Sequence, residues 1–336
     1  MHSVLVIGCG SIGERHLRCF QKTGRARVLA CDASPALLER MASEYGVTTF
    51  ADYTAALNEP VDTVVICAPA HLHVPMALQA LQRGKHVLIE KPLSVSLAGV
   101  DDLLAAHAAS GRQVAVAYVL HVFPFLVAAR EFLRAGSLGP VRHVTLTSGQ
   151  PFHRLRPAHT AHYSKTYYRD RKMGGGAIQA ALTHTVNWVE SVIGPADSVL
   201  CDCAHQVLPE VTVEDTVNLS ARHGGVLVNY ALNQFQAPNE STLQFNTATG
   251  SVKIEFHRQR WGVFRETDTD WTWHEAPVPE RDAHFIAEAN AFLDQVEGRP
   301  ARLCSLAAAA QTLRFNLAAL ASADSGQRVT CASIHA

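Results

Sequence analysis

The sequence has almost no net charge and no long apolar run. Its 29 basic residues balance 30 acidic ones, which leaves a net charge of -1. Such a chain has no general attraction for nucleic acid or for an anionic membrane. No apolar run approaches the roughly 18 residues that span a bilayer, and the apolar residues 4–7 are too few for a secretory signal. We therefore expect a cytoplasmic protein that acts on a small molecule.

The cysteines form no paired motif. They are Cys9, Cys19, Cys31, Cys67, Cys201, Cys203, Cys304 and Cys331, and no two have the CxxC spacing of metal or redox sites. Their apolar surroundings indicate reduced, mostly buried thiols. The pair His71 and His73 lacks an acidic partner, so we expect no metal site.

The chain has no internal repeat and no low-complexity segment, but it is long enough for more than one core. Of its 336 residues, 48% are apolar and 18% are charged. Chains of this length commonly form two domains. The sequence pattern changes near residue 120, so we predict a nucleotide-binding domain at 1–120 and a substrate-binding and oligomerisation domain at 121–336.

Strand and helix patterns alternate through the first of these regions. This alternation is typical of a parallel, doubly wound α/β sheet, because each crossover must be long enough to carry a helix. We predict strands at 4–7, 27–31, 63–67, 86–90 and 113–119, and helices at 11–22, 35–45, 73–83 and 96–109.

The second region has the pattern of an α+β domain with a large, open, mostly antiparallel sheet. After a helix at 124–135 and a strand at 141–148, a polar stretch rich in His and Tyr ends at Gly174-Gly175-Gly176, and a helix at 177–192 follows. We predict strands at 198–208, 213–221, 225–235, 241–247 and 251–256. Two final helices, 282–296 and 305–321, are expected to pack back on the first domain.

The motif Gly8-Cys9-Gly10-Ser11-Ile12-Gly13 lies between the first strand and the first helix. In this context GxGxxG indicates a dinucleotide site, where the glycines permit a tight turn, close approach of a pyrophosphate and close helix-to-strand packing. Asp32 ends the second strand, where a carboxylate can bind a ribose 2′-OH and would repel a 2′-phosphate. We therefore expect NAD rather than NADP. The alternatives are a simple glycine turn and a helix cap that Asp32 shares with Ser34.

Further motifs resemble the Gfo/Idh/MocA oxidoreductase family. Residues 84–92, Gly-Lys-His-Val-Leu-Ile-Glu-Lys-Pro, follow Val-Val-Ile-Cys-Ala-Pro at 64–69. The triple glycine before His184 resembles the catalytic helix of the family, and Phe292-Leu293 with residues 326–329 resembles its closing elements. The resemblance covers essentially the whole chain.

This resemblance implies a sugar or polyol dehydrogenase in which Lys91 and His184 are catalytic. Oxidation of an alcohol needs a base for the hydroxyl proton, and Lys91 follows a parallel strand at the edge where such sheets bind ligands. The alternatives are a solvated lysine and a structural or surface histidine. The expected cofactor-binding residues are Gly8, Gly10, Ser11, Ile12, Gly13, Asp32, Ala68, Pro69, His73, Glu90 and Lys91. The expected substrate-binding residues are Lys91, Tyr118, His121, Tyr163, Tyr167, Tyr168, Arg171 and His184.

The segment Lys165 to Lys172 mixes aromatic and cationic residues that could bind a sugar ring or an anionic group, and the alternative for it is a solvated loop. Two positions also depart from the family pattern. Ala180 stands where many members have an acidic residue one turn before the histidine, and Ala70 stands where a polar residue is common. Without that acid, the His184 tautomer would depend on Gln179, Thr183 or Asn187, and one of the nearby tyrosines could supply an acid.

Three functions are therefore considered. The first is an NAD-dependent oxidoreductase that transfers hydride to or from a hydroxyl or keto carbon of a sugar, polyol or related small molecule. The second is a lyase or glycosidase that uses tightly bound NAD in a transient redox cycle. The third is a non-catalytic dinucleotide-binding sensor or partner-binding protein. Apolar residues on both faces of 226–235 favour a homo-dimer or homo-tetramer formed through the second sheet.

Overall fold

The computed structural model describes residues 1–152 and 162–335. The chain divides into two compact units. The first consists of Met1–Val122 and Pro279–Ala310, and the second consists of Phe123–Val278 and Gln311–His335.

Regular elements follow one another closely up to residue 122. In chain order they are β1 (His2–Ile7), α1 (Ser11–Lys22), β2 (Ala26–Cys31), α2 (Pro35–Tyr45), β3 (Thr48–Phe50), α3 (Tyr53–Leu57), β4 (Thr63–Ile66), α4 (His73–Gln82), β5 (His86–Glu90), α5 (Val100–Ser110) and β6 (Val114–Ala117). Two 3₁₀ turns, Ala70–Leu72 and Val119–Val122, follow β4 and β6.

The remaining elements are mostly strands. They are α6 (Pro124–Ala135), β7 (His143–Gly149), a π-helical turn (Ile178–Leu182), α7 (Thr183–Ile193), β8 (Ser198–Ala204), β9 (Thr216–His223), β10 (Val226–Asn233), β11 (Glu240–Asn246), β12 (Gly250–Glu255), β13 (Arg260–Arg265), β14 (Thr272–Glu275), α8 (Ala283–Val296), β15 (Cys304–Ser305), α9 (Leu306–Ser325) and β16 (Val329–Thr330).

The sheet of the first unit has the order β3-β2-β1-β4-β5-β6-β15. Strands β1 to β6 are parallel, and only β15 is antiparallel, on β6. The strand order reverses between β1 and β4, which is the switch point where doubly wound folds bind their ligands. The predicted parallel, doubly wound fold is therefore confirmed.

A late segment of the chain completes the core of the first unit. Helix α8 packs against α1, and its residues Ala289, Phe292 and Leu293 join a buried cluster with Val6 and Leu88 of the sheet. Burying these side chains removes apolar surface from water, which stabilises the fold by about 25 cal/mol for each Å² buried.

The second unit is built on a sheet with the order β14-β13-β12-β11-β7-β10-β9-β8-β16. Every neighbouring pair is antiparallel except β7 and β10, which run parallel. The expected mostly antiparallel sheet is therefore confirmed. Large aromatic side chains fill its buried side, including Trp188 against Phe245 and Tyr230 against Phe315.

Several elements differ from the sequence expectations. The short strand β3 and helix α3 were not predicted, and neither were β13, β14, β15 and β16. Helix α5 begins at Val100 instead of residue 96, after Gly99 in the left-handed conformation. The expected helix at 177–192 contains the π turn. Residues 153–161 of the predicted polar stretch lie outside the described residues. In the described part of the chain, no helix is long and apolar enough to cross a membrane.

Candidate functional site

The carboxyl ends of five parallel strands meet at one edge of the first sheet. The register pairs Ile7 with both Cys31 and Ile66, Ile66 with Ile89, and Glu90 with Ala117. The residues that follow these strand ends therefore share the edge. They are Gly8, Asp32, Cys67, Lys91 and Tyr118.

The glycine loop packs too tightly for side chains at two of its three glycines. Gly8 has φ +85°, and a Cβ there would lie 2.7 Å from the Cys67 carbonyl oxygen. A Cβ on Gly13 would collide with the Gly8 carbonyl oxygen, whereas one on Gly10 would meet only open space. Helix α1 begins at Ser11 without a side-chain cap. Its first N–H groups and the helix dipole therefore suit an anion above Gly10.

Asp32 links the glycine loop to the start of helix α2. Its Oδ2 accepts a hydrogen bond from the Cys9 N–H at 2.6 Å, and its Oδ1 accepts one from the Ser34 N–H at 2.8 Å. Ser34 in turn caps α2 by accepting from the Leu37 N–H. The cap interpretation of Asp32 is thus present in the structure. Each carboxylate oxygen retains a second acceptor site, so a ribose hydroxyl can still bind.

The next strand end is fixed by His73. Its ring nitrogens lie 2.8 Å from the Ala68 carbonyl oxygen and 2.9 Å from the Pro92 carbonyl oxygen. Burial lowers the pKa of His73, although the two carbonyl contacts oppose the shift. His73 therefore links the loop after β4 to the loop after β5. Its direct contact with a cofactor stays a prediction. Pro69 is exposed, while Ala70 is buried.

Glu90 and Lys91 at the end of β5 differ in burial. Glu90 is buried; its Oε1 lies 2.8 Å from His16 Nε2, and its Oε2 accepts from the Lys91 N–H at 2.9 Å. Burial opposes ionisation of Glu90, but the His16 hydrogen bond and the charges of His16 and Lys91 prevail and lower its pKa. Lys91 is half-buried, and its bond to Pro92 is cis. The Glu90 carboxylate thus contacts the backbone of the candidate base.

The remaining substrate candidates of the first unit follow β6. Tyr118 and His121 are both buried, with Tyr118 directly after the strand and His121 in the 3₁₀ turn that contacts α8. Their position after β6 is the one that the sequence predicted. A direct role in binding a substrate stays a prediction.

In the second unit, the triple glycine brings the His184 helix against a buried acid. A Cβ on Gly175 would collide with the Tyr168 carbonyl oxygen, and one on Gly176, at φ +85°, would collide with the Glu214 carboxylate. Glu214 accepts hydrogen bonds from the Ala177 N–H through its carbonyl at 2.9 Å and from the Ile178 N–H through its carboxylate at 3.2 Å. The glycines are required because of this close contact.

The helix before His184 forms a π turn around Ala180. Such turns often occur at functional sites, and this one alters the i, i+4 spacing assumed in the sequence analysis. All three proposed partners of His184 have other hydrogen bonds. Thr183 accepts from Asn316 at 2.9 Å, and Asn187 donates to Thr312 at 2.9 Å. Gln179 donates to the Arg171 carbonyl oxygen at 3.0 Å.

The predicted substrate residues before the triple glycine lie on short 3₁₀ turns between Tyr163 and Met173. Tyr163 is buried and donates to the Pro209 carbonyl oxygen at 2.9 Å. Tyr168 is buried and donates to Gln234. Tyr167 packs against the same aromatic cluster. Tyr163 and Tyr168 are thus buried rather than solvated, and their hydroxyl groups have internal partners.

Arg171 forms ion pairs within the second unit. Its guanidinium donates to Glu214 and to Asp324, each at 3.1 Å. These two partners hold the cation beside the start of the His184 helix. For Arg171 and for the three tyrosines, a direct role in binding a substrate stays a prediction.

Sequence reasoning missed the buried polar residues behind these elements. They are His16, Glu288, Glu214 and Asp215. The sequence does contain a hint of them, since each is a polar residue at an inward position among apolar neighbours. A single sequence does not show whether such a position is buried with a partner or turned to solvent. In the described part of the chain, no three His, Cys, Asp or Glu side chains are grouped as metal ligands.

Together, the strand order, the glycine loop and the acid at the end of β2 define a dinucleotide-binding α/β unit, joined in the chain to a unit with an open sheet. Two family models match the chain. Residues 2–118 match the oxidoreductase family with an NAD-binding Rossmann fold, and residues 126–253 match the GFO/IDH/MocA C-terminal domain. The chain therefore belongs to the Gfo/Idh/MocA oxidoreductase family, and its N-terminal part is an NAD-binding Rossmann domain.

Relatives agree with this assignment. Inositol 2-dehydrogenase of Rhizobium meliloti is 31% identical over 149 residues, which cover 44% of this chain and 44% of that protein. The matched segment thus spans less than half of that relative. An NAD-binding oxidoreductase from Klebsiella pneumoniae superposes with a TM-score of 0.85 at 20% identity, covering 98% of this chain and 99% of the other. Levoglucosan dehydrogenase in complex with NADH and levoglucosan gives 0.84 at 19% identity, covering 98% and 99%.

Proposed function

We propose that the protein is an NAD-dependent dehydrogenase or reductase that acts on a hydroxyl or keto carbon of a sugar, a polyol or a related small molecule. The observation that carries the proposal is Lys91, half-buried at the carboxyl end of β5 and on the same sheet edge as the glycine loop. The names of inositol 2-dehydrogenase and levoglucosan dehydrogenase support the substrate class.

The first unit supplies the groups that would hold the cofactor. The N–H groups at the start of α1 would bind the pyrophosphate above Gly10, and Asp32 would accept a ribose hydroxyl. Bound NAD would accept or supply the hydride. Glu90 braces the Lys91 backbone, which fixes the start of the loop that carries the candidate base.

Lys91 is the proposed main proton-transfer group. Its amine would take the hydroxyl proton of the substrate during oxidation and return it during reduction. His184 is the proposed second catalytic residue, carried on a helix whose start is bonded to Glu214.

The test is NAD reduction by a panel of inositols, levoglucosan and other sugars. With an accepted substrate, Lys91→Met should lower kcat at least about a hundredfold, the size of a general-base contribution, and leave NADH binding measurable by fluorescence. Lys22→Met removes an exposed lysine from α1 of the same unit and is the matched control. Equal rates in wild type and Lys91→Met would overturn the role of Lys91.

The same assay separates the alternative functions. Substrate consumption without net NADH, together with NAD that co-purifies with the protein, would identify a transient redox cycle. NADH binding without turnover of any compound, in wild type but not in Ala180→Asp, would identify a disabled or sensory site.

We also propose that the protein is a homo-oligomer formed through the second sheet. Leu200 on β8 and Leu227 on β10 are 42% and 47% exposed. These two strands flank β9, and water-exposed leucines on one sheet favour an interface. Light scattering should give a dimer or tetramer mass, which Leu227→Glu should reduce.

A further inference from the structure

Helix α8 of the first unit carries a buried carboxyl group that the proposed function does not use. Glu288 is 1% exposed, and neither of its carboxyl oxygens has a hydrogen-bond partner among the described residues. An ionised carboxylate in such surroundings would be very costly. Burial, with the charge of Glu90 as a second cause, raises the pKa of Glu288 well above its usual range. These surroundings favour the protonated, neutral form of Glu288.

Glu288 lies on the face of α8 that meets His16 of α1. Phe285 lies one turn before Glu288, so the two side chains share a face of the helix. The Phe285 ring meets the His16 ring edge-on, with 5.6 Å between their centroids. His16 is in turn hydrogen-bonded to Glu90. Because Glu288 shares the face that meets His16, we treat His16, Glu90 and Glu288 as one buried group.

Other ionisable side chains surround this group. Arg15 on α1 lies over the Phe285 ring, 4.5 Å from its centroid. Cys67 follows β4; burial raises its pKa, and the charge of Glu90 adds to the shift. Lys91 follows Glu90, and His121 lies in the 3₁₀ turn packed against α8. The group therefore borders the edge where the nicotinamide is expected.

We propose that the pair Glu90 and Glu288 carries a single proton, which resides on Glu288, and that binding of NAD⁺ releases this proton to solvent. The proposal rests on the proposed NAD site, but not on the substrate. Before binding, Glu90 is a carboxylate and Glu288 is a carboxylic acid. After binding, both are carboxylates, and the positive charge of the oxidised nicotinamide offsets the second negative charge. NADH has a neutral ring, so its binding leaves the proton in place.

Linkage gives this proposal a quantitative consequence. If one proton leaves for each NAD⁺ bound, the Kd for NAD⁺ falls by up to tenfold for each pH unit of increase within the titration range of the pair. The Kd for NADH should not share this slope. The pair would then favour oxidised cofactor at higher pH.

The test measures protons directly. Protein in weakly buffered solution with a pH indicator is mixed with NAD⁺ or with NADH, and the difference in protons released per cofactor bound is recorded. Wild type should release up to one proton more with NAD⁺ than with NADH. Glu288→Gln keeps the side-chain shape without the proton and should abolish the difference. Glu39→Gln removes an exposed glutamate from α2 and should retain it.

Lys91→Met identifies the source of the proton. This variant should still release the proton if it comes from the carboxyl pair, and should lose it if the lysine is the source. Release that persists in Glu288→Gln or disappears in Lys91→Met overturns the proposal. If wild type binds NADH but shows no difference, the pair proposal fails while the NAD site stands. If wild type binds neither cofactor, the proposed function itself fails.

A measurement on unmodified protein covers the case in which Glu288→Gln does not fold. The infrared spectrum of wild type should contain the carbonyl stretch of a buried carboxylic acid. That band should disappear when NAD⁺ binds and persist when NADH binds. A band unchanged by NAD⁺ would overturn the proposal.

Discussion

The two units use their polar groups in different ways. In the first, backbone N–H groups of the glycine loop and the start of α1 face an open edge, and one acid, Asp32, holds that loop in place. In the second, polar side chains bond to one another, as Arg171 does to Glu214 and Tyr168 to Gln234. A site formed by backbone N–H groups therefore needs only a few glycines close together in the sequence. A network of side chains needs residues that are distant in the sequence.

The largest difference is expected between two glycines of the same loop. Gly13→Ala places a methyl group against the Gly8 carbonyl oxygen and should cost about 3 kcal/mol of unfolding free energy. Gly10→Ala enters open space and should leave stability unchanged within about 0.5 kcal/mol, while weakening NADH binding. Urea unfolding followed by circular dichroism and NADH fluorescence titration measure the two effects. Equal losses of stability would contradict this account of the loop.

The next largest loss of stability is expected in the second unit, where a buried carboxylate is replaced by a neutral amide. Asp215 accepts hydrogen bonds from three backbone N–H groups and from the Thr216 hydroxyl, at 2.8 to 2.9 Å. Asp215→Asn places an amide against these donors and should cost about 2 kcal/mol at neutral pH. Tryptophan fluorescence is a suitable probe, because all four tryptophans lie between 188 and 273, within this unit. Asp202→Asn changes an exposed acid on β8 and is the control.

The pH dependence of that loss can be predicted. Burial opposes ionisation of Asp215, but its hydrogen bonds prevail and lower its pKa. A lowered folded-state pKa stabilises the fold above the unfolded value of about 3.9, and this contribution is lost as pH falls through the folded-state pKa. The stability gap between wild type and Asp215→Asn should therefore narrow in acid. A gap that widens below about pH 4 would contradict this sign.

A smaller effect is expected for the acid that selects the cofactor. Asp32→Asn removes the charge that would repel a 2′-phosphate, so the preference for NADH over NADPH should fall about tenfold, or about 1.4 kcal/mol. The ratio of the two Kd values measures it. Asp52→Asn retains a good cap on α3 and should leave the ratio unchanged. An unchanged ratio in Asp32→Asn would show that Asp32 only holds the glycine loop and does not select the cofactor.

The smallest effect should come from the aromatic cluster. Tyr168→Phe removes a hydroxyl bonded to Gln234 and should cost about 1 kcal/mol of stability. Tyr167→Phe, one position earlier and only partly buried, is the comparison. A KM that rises tenfold in Tyr168→Phe would mean that the second unit uses this hydroxyl for substrate as well.

Local patterns predicted most of the first unit. The glycine loop, the start of α1 at Ser11 and the position of Asp32 follow from short-range rules of turns, caps and strand ends. The Ser34 cap and the left-handed Gly46 bound α2 where the sequence indicated. The three-residue strand β3 was missed because so short a segment has no periodicity to detect.

Long-range contacts account for what the sequence did not reveal. The π turn around Ala180 depends on packing that no local pattern records. Glu214, 36 residues after Ile178, bonds the start of the π turn. His16 meets Glu90 across 74 residues, so neither residue could be paired from a single sequence.

The way in which the chain completes its first sheet has a consequence for synthesis. Residues 283–305 supply α8 and the edge strand β15 to a unit that is otherwise finished by Val122. During synthesis on the ribosome, the surface that Phe292 and Leu293 later cover stays uncovered until more than 150 further residues have been made. Domains generally fold as units during translation. We therefore expect a nascent chain halted near residue 150 to expose apolar surface and to need chaperone protection until α8 emerges.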